Sequence, residues 1–333
     1  MTAQGLFWSG CRWLGLNALS RRLHRSHLLV LCYHGVVSEP VDDPASSGNA
    51  VTAAEFEGHL AALVRWFTPV SGQQVRRWLM SGEPLPPRPV LVTFDDGYRN
   101  NLLLAGPLLR RYSIPALFFL TTGYLGTDRV LWGPEVFRRV VSWPEEEIKS
   151  PAGARLSLPA APEPRTQVAR RVREECKTIP DAKRLAYLDY LRSAPAPSRD
   201  EELDAFLSWE EARALAAQGF ELGSHTLEHP VLSQLGEAEL TEELTESKRI
   251  IEAETGVECY GLAYPFGRPG HYSPEVLAAA EAAGYDLAFT IGAERRATPG
   301  SRYAIARLGV AGHRPQAVFE ASVSGTRARL RRS

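Results

Sequence analysis

From residue 28 to about residue 310, short apolar and β-branched runs alternate with helix-patterned segments, and this alternation restricts the fold more than any other feature of the chain. "HLLVLCYHGV" leads into "TAAEFEGHLAALVRWF", where Thr52 is placed to cap a helix whose apolar residues recur at helical spacing. The run ending at Phe94, a helix near 100–112 and the run "IPALFFLTTGYLG" follow. The pattern resumes with "SWEEARALAAQG" opened by Ser208, "FELGSH", a long helix near 237–255, "CYGLAYPFG", "SPEVLAAAEAAG", "YDLAFTI" and "AIARLGV". Runs that are apolar at consecutive positions suit strands covered on both faces, so the expected class is α/β, with a parallel sheet or barrel. Residues 145 to about 200 break the alternation: Pro-rich edges flank a charged, helix-prone middle, which reads as a helical insertion placed to cap the substrate side.

Two clusters of polar residues stand where these runs end. In "PVLVTFDDGYRN", Asp95 and Asp96 follow a buried strand and precede Gly97. Neighbouring side chains of a strand face opposite ways, so continuing the strand would drive one carboxylate into the core. Ending it at Asp95 and turning at Gly97 instead leaves both at the carboxyl end of a strand, where α/β folds keep their chemistry. "GSHTLEHPVL" supplies His225 and His229, four apart, a spacing that on a helical turn puts two imidazoles on one face. Alone, that spacing is more often two surface or capping histidines. Because both clusters follow strands of one sheet, Asp95, Asp96, His225 and His229 converge at one rim. Two histidines and one carboxylate leave an open position on an ion such as zinc, and the other carboxylate is free to act as a base.

Bulk properties narrow the class further. With 333 residues, 44% hydrophobic and 23% charged, the chain can bury the core of one large domain or two smaller ones. A formal net charge of -1 gives no pull towards nucleic acid, although both ends are basic. Arg12, Arg21, Arg22 and Arg25 stand without an acid in the first 30 residues, and "TRARLRRS" ends the chain. The first segment, with Trp8 and Trp13 among apolar residues, reads either as a solvated basic end or as a peripheral membrane contact. It is too short and too interrupted to span a bilayer and lacks the basic lead of a signal peptide, so a cytoplasmic location, at most at the membrane face, is expected. Cys11, Cys32, Cys176 and Cys259 form no C-x-x-C pair and read as buried thiols. The oligomeric state is not legible.

"TFDDG" (93–97), "SHTLEH" (224–229) and "YPFG" (264–267), in that order, resemble the first three signature motifs of the polysaccharide deacetylases, the NodB-homology carbohydrate esterases. The resemblance covers roughly residues 28–310 apart from the insertion. It divides the chain into a segment 1–26, a deacetylase-type domain 27–320 with the insertion at about 145–200, and a basic tail 321–333. It implies a distorted (β/α) barrel in which Asp96, His225 and His229 hold one divalent ion, zinc before nickel, cobalt or manganese. It makes Asp95 the general base and gives the oxyanion to the metal and the backbone N–H of Phe266. A bound metal lowers the pKa of its water from about 15.7 to about 7 and polarises a carbonyl, which is what hydrolysing an acetamide requires. The implied activity is removal of N-acetyl groups from N-acetylglucosamine-type residues of a glycan or lipid-linked polysaccharide precursor. Rival readings are hydrolysis of a non-sugar amide or ureide, and an inactive carbohydrate-binding scaffold.

The motifs depart from the family in two ways. Ala263 stands where the third motif carries an arginine that braces the base, and Arg307 in "AIARLGV" is the expected substitute. The late L-x-H and D-W motifs are missing; in a circularly permuted member the histidine-bearing strand comes first, which makes His34 of "CYHGV" the general acid and His313 of "VAGH" the weaker candidate. Tyr98 and Tyr264 are expected along the sugar site or packed at its rim, and Trp132 either against a pyranose or in the core.

Overall fold

The computed structural model describes residues 7–11, 14–41, 43–45, 48–292 and 297–330. In chain order its strands are β1 (Leu29–Tyr33), β2 (Gly35–Val37), β3 (Ala50–Thr52), β4 (Thr68–Pro69), β5 (Pro89–Phe94), β6 (Ala116–Leu120), β7 (Glu147–Lys149), β8 (Arg155–Ser157), β9 (Glu221–Ser224), β10 (Gly261–Ala263), β11 (Leu287–Ile291) and β12 (Ile305–Gly309). The main sheet runs β1-β12-β11-β10-β9-β6-β5, and β1 also pairs with β5, from Leu29 opposite Val90 to Tyr33 opposite Phe94. That last pairing closes a seven-stranded barrel in which every ladder is parallel. The short β4 pairs beside the start of β5.

The consecutive apolar runs are explained by two packed faces. Val30, Leu91, Leu117, Phe119, Leu287, Phe289 and Ile305 fill the barrel interior as one cluster. Their strand neighbours Leu29, Leu31, Val90, Val92, Ala116 and Phe118 join a second cluster under the surrounding helices. Helix starts follow local chemistry: Thr52 accepts from the Glu55 N–H at 3.2 Å and Glu55 reaches back to the Thr52 N–H, opening the helix Ala53–Trp66. Ser208 and Glu211 repeat this capping box at Trp209–Ala217. Gly223 on β9 faces the crowded barrel interior. A Cβ there would meet the Phe119 ring at 2.7 Å and the Gly261 carbonyl oxygen at 2.8 Å, so the close approach requires glycine.

The expected insertion is not wholly helical. It contains the antiparallel hairpin β7–β8 before the helices Pro162–Cys176 and Asp181–Arg192. Its apolar side chains pack with Trp132, Val136, Phe137 and Val140 of the preceding helix Trp132–Val141 in a core of their own.

At the chain ends, the boundary expected at 320 falls inside the helix Gln316–Ser324, because Val318, Ala321 and Val323 continue a buried stripe through it. Trp8 and Cys11 pack against Val318 and Ala321, so Trp8 is committed to the core; Trp13 and the arginines Arg12, Arg331 and Arg332 lie outside the described residues. Among the described residues of the first segment, the exposed large apolar side chains are Phe7, Leu14, Leu19 and Leu23. Among the described residues no helix is long and apolar enough to cross a membrane. All four cysteines are free and buried.

Candidate active site

The two adjacent carboxylates are resolved by the backbone. β5 ends at Phe94, and the Asp95 N–H still donates to the Tyr33 carbonyl at 2.9 Å, which keeps the Asp95 side chain in register with the inward face. Asp96 then adopts φ 75° and Gly97 φ 84°, a left-handed turn that brings the second carboxylate to the same rim. Both are buried, with 2% and 4% exposure. Thr226 (φ 69°), His229 (φ 54°) and Phe266 (φ 62°) share this unusual conformation, so backbone strain concentrates around one mouth of the barrel.

Asp96 Oδ1 lies 3.4 Å from His225 Nε2 and 3.5 Å from His229 Nε2. These three residues each offer a ligand atom within 4.8 Å of the others, and all three are buried. The His225 Nδ1–H donates to the Ala263 carbonyl at 2.7 Å, which fixes the ring with Nε2 aimed at Asp96 and makes Nε2 the nitrogen free to ligate a metal. The residues present therefore fit a divalent ion. Burial and His225 push His229 down to about 3, while the carboxylates of Asp95 and Asp96 overcome burial and raise His225. Burial favours protonation of Asp96, but the His225 hydrogen bond and the nearby imidazoles outweigh it and hold the carboxyl low.

Asp95 is gripped by Arg307, whose Nη1 and Nη2 donate to Oδ1 and Oδ2 at 2.6 and 2.7 Å. Arg307 is fully buried, sits over the Phe119 ring and also donates to Thr93 Oγ1 at 3.1 Å. It stands on β12, separated from β5 by β1, and must reach across Cys32. The small Cys32 side chain leaves room for it, and its thiol donates to Asp95 Oδ2 at 3.2 Å. Burial alone would raise the Asp95 pKa; Arg307 and His225 win and hold the carboxyl well below its usual range.

His34 follows β1 at the same rim, with a ring nitrogen within 4.8 Å of an Asp95 oxygen and Cys32 Sγ, and its Nδ1 has no hydrogen-bond partner. It lines a cavity of about 650 Å³ together with Asp95, Asp96, His225, His229, Tyr98, Tyr264 and Phe266. His313 is exposed and outside that lining. Among the described residues the Phe266 N–H has no acceptor, and its ring packs on His229 at 4.9 Å. Tyr264 is fully buried and its hydroxyl donates to the Tyr303 carbonyl, so it gives the cavity an apolar wall. Tyr98 stacks on Phe206 and lies beside Asp96; burial and that carboxylate raise its pKa. Trp132 takes the core reading: it is buried and donates to the His229 carbonyl at 2.8 Å. A smaller cavity of about 340 Å³ lies outside the barrel, between β12 and the helix Gln316–Ser324, and holds none of these residues.

Comparison with known proteins shows the family and agrees with the fold. The family model described as Polysaccharide deacetylase matches residues 82–179 and 181–288. The chain belongs to the polysaccharide deacetylase family. It is accordingly a polysaccharide deacetylase enzyme, and the matched residues include Asp95, Asp96, His225 and His229 but neither His34 nor Arg307. YxkH of Bacillus subtilis (strain 168) is 22% identical over 286 residues, covering 85% of this chain and 71% of that one. The poly-β-1,6-N-acetyl-D-glucosamine N-deacetylase of Escherichia coli (strain K12) is 28% identical over 131 residues, 38% of this chain and 19% of that protein. In fold, IcaB of Ammonifex degensii superposes with a TM-score of 0.59 at 22% identity, covering 90% of this deacetylase and 97% of that chain. The Streptococcus pyogenes deacetylase PplD, solved with acetate, gives 0.58 at 18% identity and covers 89% and 98%.

Glu243 gave no signal in the sequence. From the helix Glu237–Thr255 it accepts the N–H groups of Leu227 and Glu228 at 2.8 and 3.0 Å, pinning the loop between the two histidines. Burial raises its pKa to about 7. Glu243→Ala should free that loop and weaken metal affinity by about 10- to 100-fold with the barrel still folded. Competition with a chelating dye measures this, and unchanged affinity would remove Glu243 from the support of the site.

Proposed function

We propose that this deacetylase hydrolyses the N-acetyl group of N-acetylglucosamine-type residues in a glycan or lipid-linked precursor, with a divalent ion held by Asp96, His225 and His229. The observation that carries the reading is the convergence of those ligands with Asp95, His34 and the free Phe266 N–H in one cavity at the carboxyl end of a parallel barrel. An ion held there, zinc before nickel, cobalt or manganese, would polarise the acetamide carbonyl and supply the hydrolytic nucleophile at neutral pH. Asp95, ionised and oriented by Arg307, takes the proton released as the nucleophile attacks. The Phe266 N–H donates to the oxyanion that develops on the carbonyl oxygen. His34 gives a proton to the departing amine. Tyr98 and Tyr264 form the wall beside the acetamide. His34 follows β1, the first strand of the barrel, where the unpermuted motif order would put the acid's histidine after a late strand, and on that ground a circularly permuted order is part of the same proposal. Free cysteines throughout support a reducing, cytoplasmic setting.

Acetate release from a panel of acetylated sugars, measured together with bound metal, tests the proposal. Release that tracks metal content supports it, and metal-loaded protein that releases no acetate from any of them overturns it.

Arg307 offers a sharper check. Because the folded Asp95 pKa is depressed, the pair stabilises the protein above the unfolded carboxylate value of about 3.9 and is lost only as pH falls below it. Arg307→Gln leaves burial unopposed, so Asp95 should protonate at higher pH. The acidic limb of kcat/KM should move up, and removing one partner of a buried pair should cost about 3–5 kcal/mol of stability at neutral pH. A pH–rate profile with thermal melts reads both, and an unmoved acidic limb would rule out Arg307 as the brace.

A further inference from the structure

The outer part of the catalytic cavity carries more positive charge than a neutral sugar needs. Arg173 and Lys177, from the end of the insertion helix Pro162–Cys176 and the residue after it, line its wall with Arg268 and Arg314 from the loops after β10 and β12. Glu174 answers two of them, at 2.7 Å from Lys177 Nζ and 3.8 Å from Arg173 Nε. Arg268 and Arg314 are exposed and have no acidic partner among the described residues. The other acids of the lining are already committed, Asp95 to Arg307 and Asp96 to the histidines and the ion they would share. In a chain whose net charge is -1, this excess is local.

The cations share one cavity with the catalytic residues, and one of them lies near the chemistry. Lys177 Nζ sits 4.8 Å above the Phe266 ring, whose centre is 4.9 Å from that of His229. A neutral homopolymer of N-acetylglucosamine gains an amine at each deacetylation, and that amine takes up a proton. A basic mouth therefore repels such a chain more with every turnover, whereas it attracts a glycan bearing fixed negative charge.

We infer that the N-acetylated glycan accepted by this site is anionic, with a phosphate or carboxylate held at the wall of the cavity by Arg268 and Arg314. This inference rests on the deacetylase reading above and adds the class of glycan. Arginine suits both anions because its planar fork bonds two oxygens at once.

The test compares three oligosaccharides of equal length containing N-acetylglucosamine: one neutral, one with an adjoining uronic acid and one with an adjoining phosphodiester. Wild-type protein should turn over one or both anionic substrates at least about tenfold more efficiently than the neutral one. In Arg268→Gln/Arg314→Gln the loss should fall on KM and be about 10- to 100-fold greater for anionic than for neutral substrate. Raising salt from about 0.05 to 0.5 M should narrow the same gap. The better of the two anionic arms identifies the anion. Calorimetric binding of the same oligosaccharides runs in parallel, so the charge reading is scored even when no acetate appears, an outcome that would count against the deacetylase reading alone. Preference for the neutral oligomer, or equal losses on all three substrates, overturns the inference.

Discussion

Asp95→Asn should abolish most turnover, by about 10²- to 10⁴-fold, while the protein keeps its full complement of metal. The amide preserves the shape of the side chain and one acceptor for Arg307, but it cannot take a proton. His225→Ala and His229→Ala should behave differently, because each removes a donor atom from the cluster with Asp96 and so lowers occupancy and turnover together. The contrast depends on which of two adjacent carboxylates does what. Asp95 has both oxygens on Arg307, and Asp96 has Oδ1 near both imidazoles. Asp95→Asn also leaves the buried guanidinium short of a charge, so metal must be counted per folded molecule, with a melting curve beside it. Metal-free Asp95→Asn alongside loaded wild-type protein would reverse the assignment of base and ligand.

What the sequence revealed was local and periodic. Strand runs are legible because parallel strands are apolar on both faces, and Thr52 and Ser208 mark helix starts because a hydroxyl followed three residues later by glutamate caps a helix. Both polar clusters are legible because each is contiguous and ends a strand. Contacts across the barrel are not of this kind. Arg307 and Asp95 are 212 residues apart, and their meeting depends on the neighbour order β12-β1-β5 and on a side chain as small as Cys32 between them. No spacing encodes either condition. Glu243 was hidden for the same reason: an acid on an amphipathic helix looks solvated until the loop it caps is in place. The β7–β8 hairpin was missed because its strands are three residues long, shorter than a periodicity can register. Ala263 shows the converse: reading its side chain suggests a lost brace, whereas its carbonyl orients His225 and the brace comes from another strand.

His34→Ala should cut turnover on an acetamido sugar by about 10²- to 10⁴-fold, the usual worth of a positioned acid, with little change in metal content or melting temperature. The geometry favours this over a structural role. A histidine that merely closed a strand end would spend its ring on backbone groups, but Nδ1 of His34 has no partner, and the side chain lines the cavity beside Asp95. An acid must be protonated to act, so the alkaline limb of the rate profile should vanish in the variant while the acidic limb persists. The requirement also depends on the leaving group. An alkylamine cannot depart as its anion, whereas an activated anilide or ester leaves with little help, so such substrates should lose far less in His34→Ala than the sugar does. Equal losses on both would assign His34 to structure alone. The acid would then be sought at His271, which lines the same cavity with an unpartnered Nδ1, and not at the exposed His313.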